Sequence, residues 1–163
     1  MMQYLTEPQI VTWIYKMFEH AMDKRWYETY WAIDLHGSII RPNFSKEPQK
    51  IQYYPFAKEA MQLLTKRKDI ILFTYTASYP EQLKSYLVQF KEDLIEFNYI
   101  NENPEISEEK GHFGDFKHKP YFNVLIDDKT GFDPETDWEY IYDLLVWYEN
   151  YNIKPDPKWS AKF

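Results

Sequence analysis

The chain has 163 residues and no cysteine, and its 19 Lys and Arg against 26 Asp and Glu give a formal net charge of −7. This is the size of one ordinary domain, long enough to bury a core without staples. Disulfides, thiolate chemistry and cysteine-ligated zinc are excluded, and the acidity disfavours non-specific binding to a phosphate backbone.

Hydrophobic residues make up 44%, too many for a disordered chain. No apolar run approaches the ~20 residues of a membrane span, and the start MMQYLTEPQI lacks the basic-then-apolar pattern of a secretory signal. A soluble cytoplasmic domain is the expectation. Aromatics reach 20%; because they spread over the whole chain, a ring-rich core is favoured over a stacking surface for bases or sugars.

Residues 6–24 read as a helix. Thr6 and Gln9 have capping-box spacing, Pro8 is tolerated in the first turn, and Ile10, Trp13, Ile14, Met17, Phe18 and Ala21 share one apolar face. Tyr30 to Ile33 is an apolar strand ending in Asp34, followed by a His36-Gly37-Ser38 turn and an irregular loop over 41–55. A helix is expected from about Pro55 to Lys68, with Phe56, Ala60, Leu63 and Leu64 inward and Lys66, Arg67 and Lys68 suiting its C-terminal dipole. Ile70 to Phe73 is a second strand, ending near Thr74 to Thr76. Pro80 opens a helix with Leu83, Tyr86, Leu87 and Phe90 inward. Residues 97–100 form a short third strand, 101–120 a polar loop, and Phe122 to Ile126 a fourth strand ending in Asp127-Asp128. Thr136 and Glu139 repeat the capping-box spacing at the start of a last helix. Residues 1–153 form one domain in this reading, and 154–163, with two prolines, a loosely held tail.

Strands alternating with helices predict an α/β fold, Rossmann-like, with a mainly parallel sheet flanked by helices. In such sheets the carboxyl ends of the strands form the ligand crevice. In chain order those ends deliver Asp34, a threonine (Thr74 or Thr76), a Lys-rich loop, and Asp127 with Asp128. Three converging carboxylates stay ionised most easily around a cation, and an oxygen-rich site with open positions suits Mg²⁺. A hydroxyl and a lysine beside it are donors for a phosphoryl group. Each residue also has a plain structural reading. Asp34 and the acid pair can cap turns, the threonines can be ordinary strand residues, and the lysines can be solvated loop charges.

The order and local sequences resemble the haloacid dehalogenase (HAD) superfamily of phosphohydrolases over about residues 30–133. Ala32-Ile33-Asp34-Leu35-His36-Gly37-Ser38-Ile39 is similar to its first motif, Ile70 to Thr76 to its second, Lys119-Pro120 to its third, and Val124-Leu125-Ile126-Asp127-Asp128 to its fourth. Thr76 is preferred to Thr74 because the next helix begins only near Pro80, and Lys117 and Lys110 are rivals of Lys119. The resemblance implies that Asp34 attacks phosphorus and forms an aspartyl-phosphate. It implies that Thr76 and Lys119 hold the phosphoryl oxygens. Asp127 and Asp128 would bind Mg²⁺ with Asp34 and the main-chain carbonyl of His36. The family's usual residue at position 36 is a second Asp. His36 leaves three outcomes open: a working acid/base, a slowly hydrolysed phosphoenzyme, or a site that only binds.

The stretches 38–55 and 101–120 are too short for the cap domain carried by many members. A capless, open site favours a large phosphorylated substrate, such as a phosphoprotein or a nucleic-acid end, or closure by another subunit in a homo-oligomer. The negative charge counts against nucleic acid. The competing expectation is a catalytically inactive HAD-like interaction module.

Overall fold

The computed structural model describes residues 7–151 and 154–159. Four helices, α1 (Gln9–Lys24), α2 (Ala57–Lys66), α3 (Pro80–Glu92) and α4 (Asp137–Asn150), accompany four strands: β1 (Thr29–Ile33), β2 (Ile70–Thr74), β3 (Tyr99–Ile100) and β4 (Val124–Ile126). The strands form one sheet in the order β3-β2-β1-β4. Every pairing is parallel, with Trp31 opposite both Leu72 and Val124. This is the expected α/β architecture. Among the described residues no cap domain is present, and no helix is long and apolar enough to cross a membrane.

All five residues of β1 and of β2 are buried, as parallel strands covered on both faces should be. Alternation sorts them. Trp31, Ile33, Ile70 and Leu72 join the main core with the apolar faces of all four helices, including Ile14, Met61, Tyr86 and Trp138. Tyr30, Ala32, Ile71 and Phe73 face a second cluster closed by Ile106, with Phe116 and Tyr121 packed against it. The polar-looking 101–123 segment therefore covers the second face of the sheet, where a helix is the more usual cover.

The strands are shorter than the apolar runs suggest because asparagine side chains take over the ladder. Leu72 N–H donates to Asn98 Oδ1 (2.8 Å) while Asn98 N–H donates to the Leu72 carbonyl (2.8 Å). Asn123 does the same for Tyr30, at 2.7 Å in each direction.

Several local expectations need correction. Pro8 is the N-cap of α1 and not a first-turn residue, and the capping partner Thr6 lies outside the described residues. α2 begins at Ala57, not Pro55, because Phe56 is left-handed (φ 61°); the residue is 38% exposed and its ring meets Tyr142. Arg67 does not serve a helix dipole in solvent: it is buried, and its guanidinium donates to both Asp69 oxygens (3.0 and 2.7 Å) and to Glu149 (3.2 Å). Thr136 is the N-cap of α4, but its hydroxyl donates to Asp137 Oδ1 (3.1 Å) and no capping box forms.

Candidate functional site

The site is built where β1 ends between its two neighbours. Asp34 N–H donates to the Ile126 carbonyl (2.9 Å) and Tyr75 N–H to the Ile33 carbonyl (2.8 Å), so the ladder runs one residue past the ends of β1 and β2. Asp34 is thereby held between the β2 and β4 exits. The chain then folds back tightly. The amides of Ser38, Ile39 and Ile40 all return to the Leu35 carbonyl, and Gly37 supplies the left-handed φ of 82°. Glycine is needed there for space as well, since a Cβ on Gly37 would lie 2.9 Å from Asp128 Oδ2.

Ser38 ties the first turn to the last strand end. It is fully buried; its hydroxyl donates to Asp34 Oδ2 (3.1 Å) and accepts from Asp128 N–H (3.0 Å), and its carbonyl accepts from Trp138 Nε1–H (2.7 Å). Asp127 Oδ1 accepts Lys129 N–H (2.8 Å), capping a single 3-10 turn over Asp128–Thr130. Asp34, Asp127 and Asp128 each offer one oxygen, and these oxygens lie within 4.8 Å of one another.

The electrostatics follow from that convergence. Burial and then the Asp127 charge push the Asp34 carboxyl up to about 6; bonds from Leu35 N–H and Ser38 oppose them, and the Asp128 charge adds to the rise. Asp128 Oδ2 accepts from Lys129 Nζ (2.6 Å), whereas Asp128 Oδ1 is buried with no hydrogen-bond partner. A buried carboxylate oxygen without a donor is costly. A divalent cation among these three carboxylates would offset their mutual repulsion.

Two adjoining clefts open on Asp34. One, of about 530 Å³, is lined by Asp34, Tyr75, Thr76, Asn101, Asp127, Asp128 and Lys129. The other, of about 490 Å³, takes Asp34, His36 and Thr76 together with the 42–46 loop, Tyr79 and Gln82. Thr76 borders both, while Thr74 is fully buried in β2 and borders neither. Asn101 holds the Thr76 turn: its Oδ1 accepts Thr76 N–H (2.9 Å) and its Nδ2 donates to the Thr76 carbonyl (3.0 Å).

The expected lysines are elsewhere. Lys119 is exposed and lines neither cleft. Lys117 borders a separate cavity with Glu108 and Glu109, and Lys110 Nζ donates to the Pro104 carbonyl (2.7 Å). The 101–123 segment carrying all three is committed to covering the sheet face. Lys129, immediately after the acid pair, borders the first cleft, and Lys46 borders the second.

The His36 ring is not part of the carboxylate cluster. It packs edge-on to Tyr86, with His36 Nε2 2.9 Å from the Tyr86 hydroxyl, and burial holds its pKa below the usual histidine value. Tyr54 is buried, and the Tyr53 hydroxyl donates to Asp93 Oδ2 (2.8 Å). A larger apolar groove of about 730 Å³, lined by Ile10, Trp13, Met17, Trp26 and Val124 among others, lies beside the edge strand β4 and contains none of these carboxylates.

No protein-family model and no curated protein matches the chain. Among solved structures, it is similar to a conserved protein from Bacteroides thetaiotaomicron, at 23% identity and a TM-score of 0.54. The likeness covers 77% of this chain and 95% of that one. At that identity it concerns the fold alone.

Proposed function

We propose that the protein is a Mg²⁺-dependent phosphatase or phosphotransferase of HAD-like type, acting through an aspartyl-phosphate on Asp34. The observation that carries this reading is the meeting of Asp34, Asp127 and Asp128 within 4.8 Å at the ends of β1 and β4, beside a threonine and a lysine. Ser38, bonded to Asp34 and to the Asp128 amide, keeps the two strand ends in register. The three carboxylates would hold the metal, and the unpartnered Asp128 Oδ1 fits a cation ligand. Bound there, Mg²⁺ supplies positive charge that offsets the phosphate's own.

In the first step an Asp34 carboxylate oxygen bonds to phosphorus. The bond from phosphorus to the ester oxygen breaks, and that oxygen leaves with the electron pair and gains a proton. In the second, water or an acceptor hydroxyl attacks phosphorus, loses a proton, and Asp34 departs as carboxylate. The Thr76 hydroxyl and Lys129 ammonium would donate to the non-reacting phosphoryl oxygens, with Lys129 taking the role that the resemblance gives to Lys119. The open, capless cleft suits a substrate larger than a small ester. The alternative, a HAD-like module that binds without turnover, draws on the replacement of an acid by His36, whose ring engages Tyr86.

Phosphate release from a panel of esters and phosphopeptides, with Mg²⁺ and with chelator, separates the two. Mg²⁺-dependent release by the wild type and none by Asp34→Asn is expected. Equal release by Asp34→Asn would remove Asp34 as nucleophile, and no release by either would favour the binding module.

A further inference from the structure

We infer that Asn43 and Tyr86 are positioning residues that lock His36 in the tautomer carrying its proton on Nδ1. A chain of hydrogen bonds anchored on the Ser45 carbonyl, which can only accept, runs through Gln82, Asn43 and Tyr86 to His36. Ser45 N–H donates mainly to the Asn43 main-chain carbonyl and at longer range to Asn43 Oδ1 (3.3 Å), and Gln82 Nε2 donates to the same Oδ1 (3.3 Å). Gln82 is itself oriented by a bond from Nε2 to the Ser45 carbonyl. These donors fix the Asn43 amide with its oxygen towards Ser45 and its nitrogen towards Tyr86. Asn43 Nδ2 then donates to the Tyr86 hydroxyl oxygen (2.6 Å). That hydroxyl has one proton of its own, and its other close partner is His36 Nε2, at 2.9 Å. The phenol therefore donates to Nε2, so Nε2 of the neutral ring is an acceptor and the proton sits on Nδ1. Tyr86 is 1% exposed, so water does not compete readily for the hydroxyl.

The functional consequence rests on the reading of the site given above. The basic lone pair of His36 is occupied by Tyr86, and the ring's remaining nitrogen is a donor. His36, which borders the Asp34 cleft, then has no free basic nitrogen with which to take a proton from the water that attacks phosphorus.

The test is a two-bond ¹H–¹⁵N correlation spectrum of uniformly ¹⁵N-labelled protein without added divalent cation, at a pH where the ring is neutral. The His36 signals are assigned by their loss in His36→Gln. The wild type is expected to show protonated Nδ1 and bare Nε2. Asn43→Asp replaces a donor by an acceptor, so the phenol proton turns to Asp and Nε2 becomes protonated. Tyr86→Phe, nearly isosteric, removes the donor and also lets Nε2 take the proton. A wild-type ring protonated on Nε2, or a bare Nε2 unchanged in both variants, overturns the inference. Neither readout needs turnover, so it stands or falls separately from the phosphatase reading. If turnover is found, Asn43→Asp should speed phosphoenzyme hydrolysis and raise kcat with KM little changed; a fall in kcat would overturn the proposed consequence.

Discussion

Asp34→Asn should make the cation-free protein more stable. The Asp34 carboxyl rises from 3.8 to about 6 on folding, first because it is buried and next because Asp127 faces it. Moving a carboxyl that far corresponds to about 3 kcal/mol above both values. The group is only part-buried, and solvent screening leaves about 1–2 kcal/mol. Because the folded-state value is the higher one, the native state holds the extra proton between the two. The penalty is therefore absent below 3.8, grows towards 6 and is complete above it. In a chain of this size about 1–2 kcal/mol moves Tm by about 2–8 °C. Melting curves in chelator at pH 8 should place Asp34→Asn above the wild type by that amount, and the gap should shrink by about half at pH 5. Saturating Mg²⁺ should raise the wild-type Tm and leave the variant nearly unmoved. A variant no more stable than wild type in chelator, or a gap that ignores pH, would refute the convergence of charge at Asp34.

Three further outcomes follow from the same geometry. Lys129→Ala should lower kcat/KM for phosphate esters at least about tenfold with Tm unchanged, while Lys119→Ala should match wild type; the reverse pattern in steady-state kinetics would return the role to Lys119. Ser38→Ala removes a buried hydroxyl bonded to Asp34 and to the Asp128 amide and should cost about 1–3 kcal/mol in urea unfolding and weaken Mg²⁺ binding by calorimetry; an unchanged midpoint and affinity would deny its bridging role. Burial works to raise the Asp93 carboxyl, but bonds from Lys58 (2.5 Å) and Tyr53 (2.8 Å) prevail and hold it below the usual range. Its stabilisation is full above the unfolded value and fades as pH falls through the folded one, so Asp93→Asn should flatten the acid limb of the Tm-versus-pH curve, and an unaltered limb would contradict this.

The parallel α/β architecture was legible because β1 and β2 are continuous apolar runs bounded by polar residues, a pattern that burial on both faces requires. The carboxylates were legible for the same reason: Asp34 and Asp127 each follow the last buried strand residue. Thr76 could be preferred to Thr74 by its distance from α3, and Thr76 is the one of the two that borders the clefts. The lysine could not be placed from sequence. Its position depends on where the 101–123 segment goes, and a polar stretch with scattered rings gives no period from which to read that it lies across the sheet. Lys129 left only adjacency to the acid pair as a signal. The His36–Tyr86–Asn43 chain was equally hidden, since its members are separated by 50 and 43 residues and Tyr86 reads simply as one more apolar position of α3. Strand ends were over-extended where Asn98 and Asn123 mimic the backbone, and α2 started late because Phe56 adopts a conformation that its side chain does not advertise.

The most direct examination of Asp34 is mass spectrometry of the protein after brief exposure to a turned-over phosphate ester in Mg²⁺, quenched in acid. A phosphoryl group on the peptide containing Asp34, absent in Asp34→Asn and in chelator, is the expected result. Turnover with no phosphoryl group on Asp34, or with one on another residue, would contradict the nucleophile assigned to this site.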